Sequence, residues 1–116
     1  CGTGMGSGIV CNGQIIEGTN GFAGEIGHMR LTDDGPIGYG KSGSFEGWCS
    51  GGGFAQWAGM SAKEAAKLAL QEDEAALKAF ARFGEQLGCG LAVLVDILNP
   101  RTDLDRRHLS SSPTMD

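Results

Sequence analysis

The chain has 116 residues, a net charge of −5 and 41% hydrophobic residues, which is enough apolar material for a packed core and excludes disorder throughout. The acidic balance argues against a general binder of nucleic acid or of anionic membranes. No apolar run is long enough to span a bilayer and no signal peptide opens the chain, so we expect a soluble cytoplasmic protein.

The first predicted element is a β-hairpin within residues 5–17. Its two apolar stretches are separated by Asn12 and Gly13, a dipeptide that suits the two positive-φ positions of a type I′ turn. Residues 18–53 hold many of the 21 glycines. We expect this stretch to be an irregular glycine-rich loop, with a short strand near residues 28–32.

Two helices are predicted after the loop. Ser61 and Glu64 have the spacing of a capping box and open the first helix. A break at residues 71–73 precedes a long second helix, whose apolar residues recur at three- and four-residue steps. These residues are Ala76, Phe80, Phe83, Leu87, Leu91, Leu94 and Leu98. Gly84, Gly88 and Gly90 are expected to allow a neighbouring element to approach closely, and Asn99-Pro100 ends the helix.

The ends of the chain suggest a fragment. The first residue is Cys, and the polar residues 101–116 offer neither a strand nor an amphipathic face, so we expect a disordered or non-native tail. Four cysteines show no CxxC pair and no metal-ligand spacing, and we interpret them as free thiols in a reducing compartment. They are Cys1, Cys11, Cys49 and Cys89.

Three stretches could carry chemistry, and each also has a purely structural interpretation. The first stretch, residues 2–8, has glycines at alternate positions around Thr3. Their N–H groups are unobstructed and could bind phosphate. Alternatively, the glycines could simply let a strand pack closely against its neighbour. The second holds Glu25 and His28, which suit the hydroxyls of a sugar but could merely be solvated. In the third, Glu46 lies among glycines and aromatic residues, either beside a ligand or in a compact surface loop.

Taken in order, these residues resemble the ROK family (repressor, open reading frame, kinase). The matching strings are GTGMGSGIVCNGQIIEGTNGFAGEIGHMRL, GPIGYGKSGSFEGWCSG and LGCGLAVLVDILNP, and together the resemblance covers residues 1–100. It implies an α/β fold, namely part of one ribonuclease-H-like lobe of an actin-like ATPase. It also implies an ATP-dependent kinase of hexoses or N-acetylhexosamines, similar to glucokinases, or alternatively a sugar-sensing transcriptional repressor whose pocket binds an inducer.

The resemblance assigns roles to individual residues. Glu25, His28 and Glu46 match positions that bind the sugar. The phosphate-binding turn for ATP with Mg²⁺ matches Thr3, Gly4, Gly6 and Gly8. The general-base aspartate matches no position in this chain, so we expect the chain alone to be inactive. The family commonly forms homodimers.

The chain departs from the family at a zinc motif. Many members have three cysteines that bind zinc with the histidine, but the matching positions here are Ile37, Tyr39 and Ser44, which are not zinc ligands. A zinc site is therefore not expected, and we expect Tyr39 and Lys41 to pack the loop instead. A further alternative is that the fragment folds poorly and has no function of its own, because its missing partners leave sheet edges exposed.

Overall fold

The computed structural model describes residues 3–101. The order of elements is β1 (Val10–Cys11), β2 (Gln14–Ile15), a 3₁₀ turn (Ile26–His28), β3 (Ile37–Gly38), β4 (Lys41–Ser42), α1 (Phe45–Cys49), α2 (Gly51–Ala58), α3 (Ala62–Leu70) and α4 (Glu74–Leu98). The strands form two separate antiparallel hairpins, β1 with β2 and β3 with β4. Cys1 and residues 102–116 of the predicted tail lie outside the described residues.

The β1–β2 hairpin confirms the turn prediction. Val10 pairs with Ile15 and Cys11 with Gln14. The two turn residues between them, Asn12 and Gly13, have φ angles of 54° and 76°, as a type I′ turn requires.

Helices α3 and α4 begin and end at the residues that the sequence indicates. Ser61 accepts a hydrogen bond from the N–H of Glu64 at the start of α3. Asp73 caps α4 in the same way, through the N–H of Ala76. Asn99 ends α4 in the left-handed conformation. Among the helices that the structure describes, none has the length and apolar character needed to cross a membrane.

The prediction that residues 18–53 are irregular was wrong for their second half. That half contains β3, β4, α1 and the start of α2, and the expected strand near residues 28–32 is reduced to an isolated bridge between Arg30 and Ser44. Ser44 and Ser50 cap α1 and α2 through the N–H groups of Gly47 and Gly53. All five residues of α1 are buried. Packing therefore stabilises this glycine-containing helix more than intrinsic propensity does.

The core lies where α4 crosses α1. Phe45 is 1% exposed, and a Cβ atom on Gly90 would overlap its ring, so this glycine does permit the close approach that the sequence predicts. No other element of residues 3–101 approaches Gly84 or Gly88, since a Cβ built there would meet nothing within 4 Å beyond the neighbouring residues and backbone of α4 itself, so the expectation stays a prediction for these two. The rest of this cluster consists of Met5, Trp48, Cys49 and Leu94. Because Met5 belongs to this cluster, the glycine-rich N-terminal segment (residues 3–8, the glycine segment) is packed against the helices.

Candidate functional site

Glu25 precedes a single 3₁₀ turn, and His28 is the last residue of that turn. Gly24, with a φ of 86°, directs the chain into this turn from a conformation that disfavours side chains. Gly24 also accepts a hydrogen bond through its carbonyl oxygen from the hydroxyl of Ser7. The Glu25 side chain makes no capping hydrogen bond to the turn, so its carboxylate is available for other partners.

The Glu25 carboxylate and the His28 imidazole face each other. Glu25 Oε2 lies 3.6 Å from His28 Nε2, and the side chains are 48% and 36% exposed. His28 Nε2 is itself covered and has no hydrogen-bond partner within the described part of the chain. A buried polar atom left without a partner is unfavourable. The pair therefore has unused hydrogen-bonding capacity on both of its members.

The tip of the β3–β4 hairpin lies against His28. The rings of Tyr39 and His28 have centroids 4.1 Å apart and are tilted by 59°. Lys41 Nζ donates a hydrogen bond to the backbone carbonyl of His28 at 2.9 Å. The expectation that Tyr39 and Lys41 pack this loop is confirmed. Sequence reasoning did not predict that both would contact the histidine of the candidate site.

Glu46 lies on α1, beneath this loop and beside the N-terminal segment. It is 8% exposed, and its Oε1 accepts a hydrogen bond from the N–H of Met5 at 2.8 Å. Gly27 packs on the same residue, since a Cβ atom there would lie 3.3 Å from Glu46 Cβ. Glu46 is thus in contact with the residue that precedes His28, while its carboxylate bonds to the glycine segment.

The glycine segment runs along the helices with its backbone largely open. Thr3, Gly4, Gly6 and Gly8 are exposed, and a Cβ built on Gly6 or Gly8 would meet no described atom within 4 Å. At Gly4 a Cβ would lie 2.9 Å from Glu46 Oε1. Gly4 therefore permits the contact between the segment and Glu46. The backbone at Gly6 and Gly8 is therefore open on the side where a side chain would stand.

The positions that match the family's zinc ligands have other roles. Ser44 is buried and caps α1, donating in addition to the carbonyl of Gly38 at 3.2 Å. Ile37 and Tyr39 are exposed. Within residues 3–101 no cluster of three or more His, Cys, Asp or Glu side chains could hold a metal ion.

Comparison with known proteins identifies the family. The model of the ROK family matches residues 1–102. The chain belongs to the ROK family. Its membership confirms the resemblance seen in the glycine segment, the Glu25–His28 stretch and the end of α4.

The relatives include kinases and repressors. The chain is 44% identical over 77 residues to a glucokinase of Halalkalibacterium halodurans, an alignment that covers 63% of this chain and 23% of the relative. It is 30% identical over 119 residues to the xylose repressor of Bacillus subtilis, covering 97% of this chain and 31% of the repressor. The chain thus spans less than a third of the length of either relative.

A solved structure shows the same fold. A ROK family glucokinase from Streptomyces griseus, determined in complex with glucose and AMPPNP, superposes with a TM-score of 0.73 at 28% identity. The match covers 85% of this chain and 39% of that one. The predicted α/β fold, part of an actin-like ATPase lobe, is confirmed. The boundary between a domain of residues 1–100 and a tail stays a prediction.

Proposed function

We propose that this chain supplies the sugar-binding and phosphate-binding residues of an ATP-dependent sugar kinase of the glucokinase type. The observation that carries the proposal is the pairing of Glu25 with His28 at 3.6 Å. This pair lies next to the glycine segment, whose Met5 N–H donates a hydrogen bond to Glu46. Each of the three side chains offers hydrogen-bonding atoms to hydroxyl groups. Similarity to the glucokinase of H. halodurans supports a hexose as the substrate, and an N-acetylhexosamine is the alternative that the family resemblance implies.

In the proposed complex the Glu25 carboxylate accepts hydrogen bonds from sugar hydroxyls. A hydroxyl that bridges Glu25 Oε2 and His28 Nε2 after a small displacement of Glu25 would bond to both, and would give the imidazole nitrogen a partner that it does not have among the described residues. Glu46 uses Oε1 to bind Met5, so Oε2 is the oxygen that we assign to the sugar. Two partners on the 3₁₀ turn and a third on α1 would orient the ring for transfer.

The glycine segment is proposed to bind the phosphates of ATP, which would act with Mg²⁺ as the phosphoryl donor. The open backbone around Gly6 and Gly8 and the exposed Thr3 fit an anion, because N–H and O–H groups there can donate to phosphate oxygens. Such donors would stabilise negative charge on the transferring group. The general base is proposed to come from outside residues 1–116.

The proposal is tested by calorimetric titration of the purified protein with D-glucose and N-acetyl-D-glucosamine. We expect one of them to bind, and Glu25→Gln and His28→Gln each to weaken that binding by about tenfold or more, since each removes a bond to a charged or buried group. Glu17→Gln is the matched control, because Glu17 is exposed on the preceding loop. Unchanged affinity in both site variants would refute the assignment.

The proposed source of the base has its own test. The 116-residue chain, incubated with ATP, Mg²⁺ and the sugar that it binds, should release no ADP above background. Turnover would show that the base lies within the chain.

A sugar-responsive repressor is the second candidate, favoured by the similarity to the xylose repressor over 97% of this chain. The two functions differ in the need for ATP. Binding of an ATP analogue that weakens when Gly6 is replaced by Val supports the kinase, because the added side chain fills the proposed phosphate site. Xylose binding without any nucleotide binding supports the repressor. A homodimer and a cytoplasmic location remain part of the kinase proposal.

A further inference from the structure

We propose that Tyr39 and Lys41 are positioning residues that hold His28 in the orientation needed to bind the sugar. The inference deepens the proposed function and rests on it for the ligand. It is carried by two contacts of the β3–β4 hairpin with His28 and by the tight turn that holds the hairpin.

The first contact fixes the imidazole ring. The Tyr39 ring lies against it with a centroid separation of 4.1 Å, closer than the roughly 4.5–7 Å typical of aromatic pairs, so the two rings are in direct contact. Tyr39 is 67% exposed, so its ring is not held there by a surrounding core. Covering one side of the imidazole limits the rotamers that His28 can adopt and keeps Nε2 directed at Glu25.

The second contact fixes the backbone of the same residue. Lys41 Nζ donates to the His28 carbonyl at 2.9 Å, and a hydrogen bond from a charged donor is stronger than a neutral one. Lys41 is half-buried, which shields this bond from water. Tyr39 and Lys41 therefore act on the two parts of His28, its ring and its main chain.

The third feature is the rigidity of the hairpin that carries both residues. Tyr39 and Gly40 have φ angles of 52° and 66°, the two positive values of a tight turn. A tyrosine in this conformation is uncommon and costs backbone energy. The hairpin is joined to the His28 loop by a further bond, from the N–H of Leu31 to the carbonyl of Gly43 at 2.8 Å. The turn thus presents the tyrosine ring from a fixed support.

The geometry of the Glu25–His28 pair explains why such support is needed. His28 Nε2 is covered and has no partner among residues 3–101, whereas the neighbouring Glu25 carboxylate is half exposed. We infer that Glu25 moves aside to admit a hydroxyl while His28 stays in place. If the imidazole could rotate freely, Nε2 would not be held in position to bond to the hydroxyl. Ordering the side chain on binding would then cost conformational entropy and weaken the affinity for the sugar.

The composition of the chain permits a direct test by NMR. Tyr39 is the single tyrosine and His28 one of two histidines, so His108→Gln leaves one residue of each kind. In this background we expect nuclear Overhauser contacts between the two rings and a ring-current shift of the imidazole protons. Tyr39→Ala should move these protons toward the values of a solvated histidine, and Tyr39→Phe should preserve them.

Sugar affinity is the second readout. Tyr39→Ala should weaken binding of the sugar by roughly three- to tenfold, while Tyr39→Phe restores it, because the aromatic face and not the hydroxyl makes the contact. Lys41→Met should also weaken binding while retaining the ring contact. Phe22→Ala is the control, since Phe22 is an aromatic residue that is 75% exposed. Amide spectra of α4 should match the parent in every variant, which shows that folding is intact.

The outcomes separate the inference from the function on which it rests. If the protein binds no sugar, the proposed function fails, and the imidazole shifts alone decide whether Tyr39 orders His28. Imidazole protons that do not respond to Tyr39→Ala would overturn the inference. The inference would also be overturned if Tyr39→Ala moved the imidazole resonances but left the sugar affinity unchanged. In that case Tyr39 would order His28 without any consequence for binding.

Discussion

The side-chain carboxylate of Glu46 accepts a hydrogen bond from the backbone N–H of Met5 at 2.8 Å, across 41 residues of sequence. Met5 and Glu46 are 7% and 8% exposed, so water does not compete for this bond. It attaches the glycine segment, which we propose to bind phosphate, to α1, which we propose to contact the sugar. One carboxylate thereby sets the spacing between the two proposed subsites.

Replacement of Glu46 should separate its structural role from its role in binding. Glu46→Ala leaves the Met5 N–H buried without an acceptor, and we expect a loss of about 1–3 kcal/mol in the free energy of unfolding. Glu46→Gln keeps an oxygen acceptor of similar shape and should retain most of the stability. It should nevertheless bind sugar more weakly, because the charge on the second oxygen is lost.

Urea denaturation and calorimetric titration measure these two effects. Glu64→Gln provides the control, because Glu64 also lies in the first turn of a helix but is exposed. Equal stability of the Ala and Gln variants would show that the bond to Met5 contributes nothing to folding.

Gly90 and Gly88 should respond oppositely to the same substitution. Gly90→Ala places a methyl group in the ring of Phe45, and overpacking of this kind costs about 1–3 kcal/mol. Gly88→Ala meets no described atom and removes a residue with poor helix propensity, so a gain of up to about 1 kcal/mol is expected. Thermal unfolding followed by circular dichroism measures both. A destabilised Gly88→Ala would indicate that a further element packs on that face.

Local signals predicted much of this fold, whereas the features set by distant contacts escaped sequence reasoning. Asn12-Gly13 and Ser61 act within a few residues of themselves, and both fulfil their predictions. Helix α1 has only five residues, one of them glycine, and is held by packing of Phe45 on Gly90. The sequence predicted a close approach at Gly90 but did not identify Phe45 as the residue that makes it.

In the candidate site, too, the local features could be predicted from the sequence and the contacts between distant residues could not. The pairing of Glu25 with His28 follows from a spacing of three residues, which sequence alone could indicate. The contact of Tyr39 with His28 depends on the path of a hairpin that was not predicted. A signal for that hairpin was present in the consecutive Tyr39-Gly40, where a positive-φ turn favours glycine.

The start of α4 should depend on the side chain of Asp73. Asp73 Oδ2 accepts from the N–H of Ala76 at 3.0 Å, and Asp73→Ala removes this cap at a cost of about 1 kcal/mol. Asp73→Asn keeps an oxygen that can cap the helix and should lose only a few tenths of that amount. Denaturant midpoints of the two variants test the assignment, and it is contradicted if both lose the same stability.

Cys49 should make the stability of the protein sensitive to alkaline pH. Burial raises the pKa of its thiol from 9.0 to about 12, because desolvation disfavours the thiolate. The unfolded chain releases the proton above pH 9 while the folded chain keeps it. The stabilisation is therefore complete below pH 9 and is lost as the pH rises from 9 toward 12.

The measurement is the urea midpoint between pH 7 and 11 for the parent, Cys49→Ala and Cys89→Ala. Cys89 is exposed, so its variant should follow the parent, whereas Cys49→Ala should show a shallower alkaline decline even though its stability at neutral pH is lower. Iodoacetamide gives an independent check. In the folded protein it should alkylate Cys11 and Cys89 and spare Cys49, since the thiolate is the reactive form. Rapid alkylation of Cys49 in the folded state would contradict its burial beneath α4.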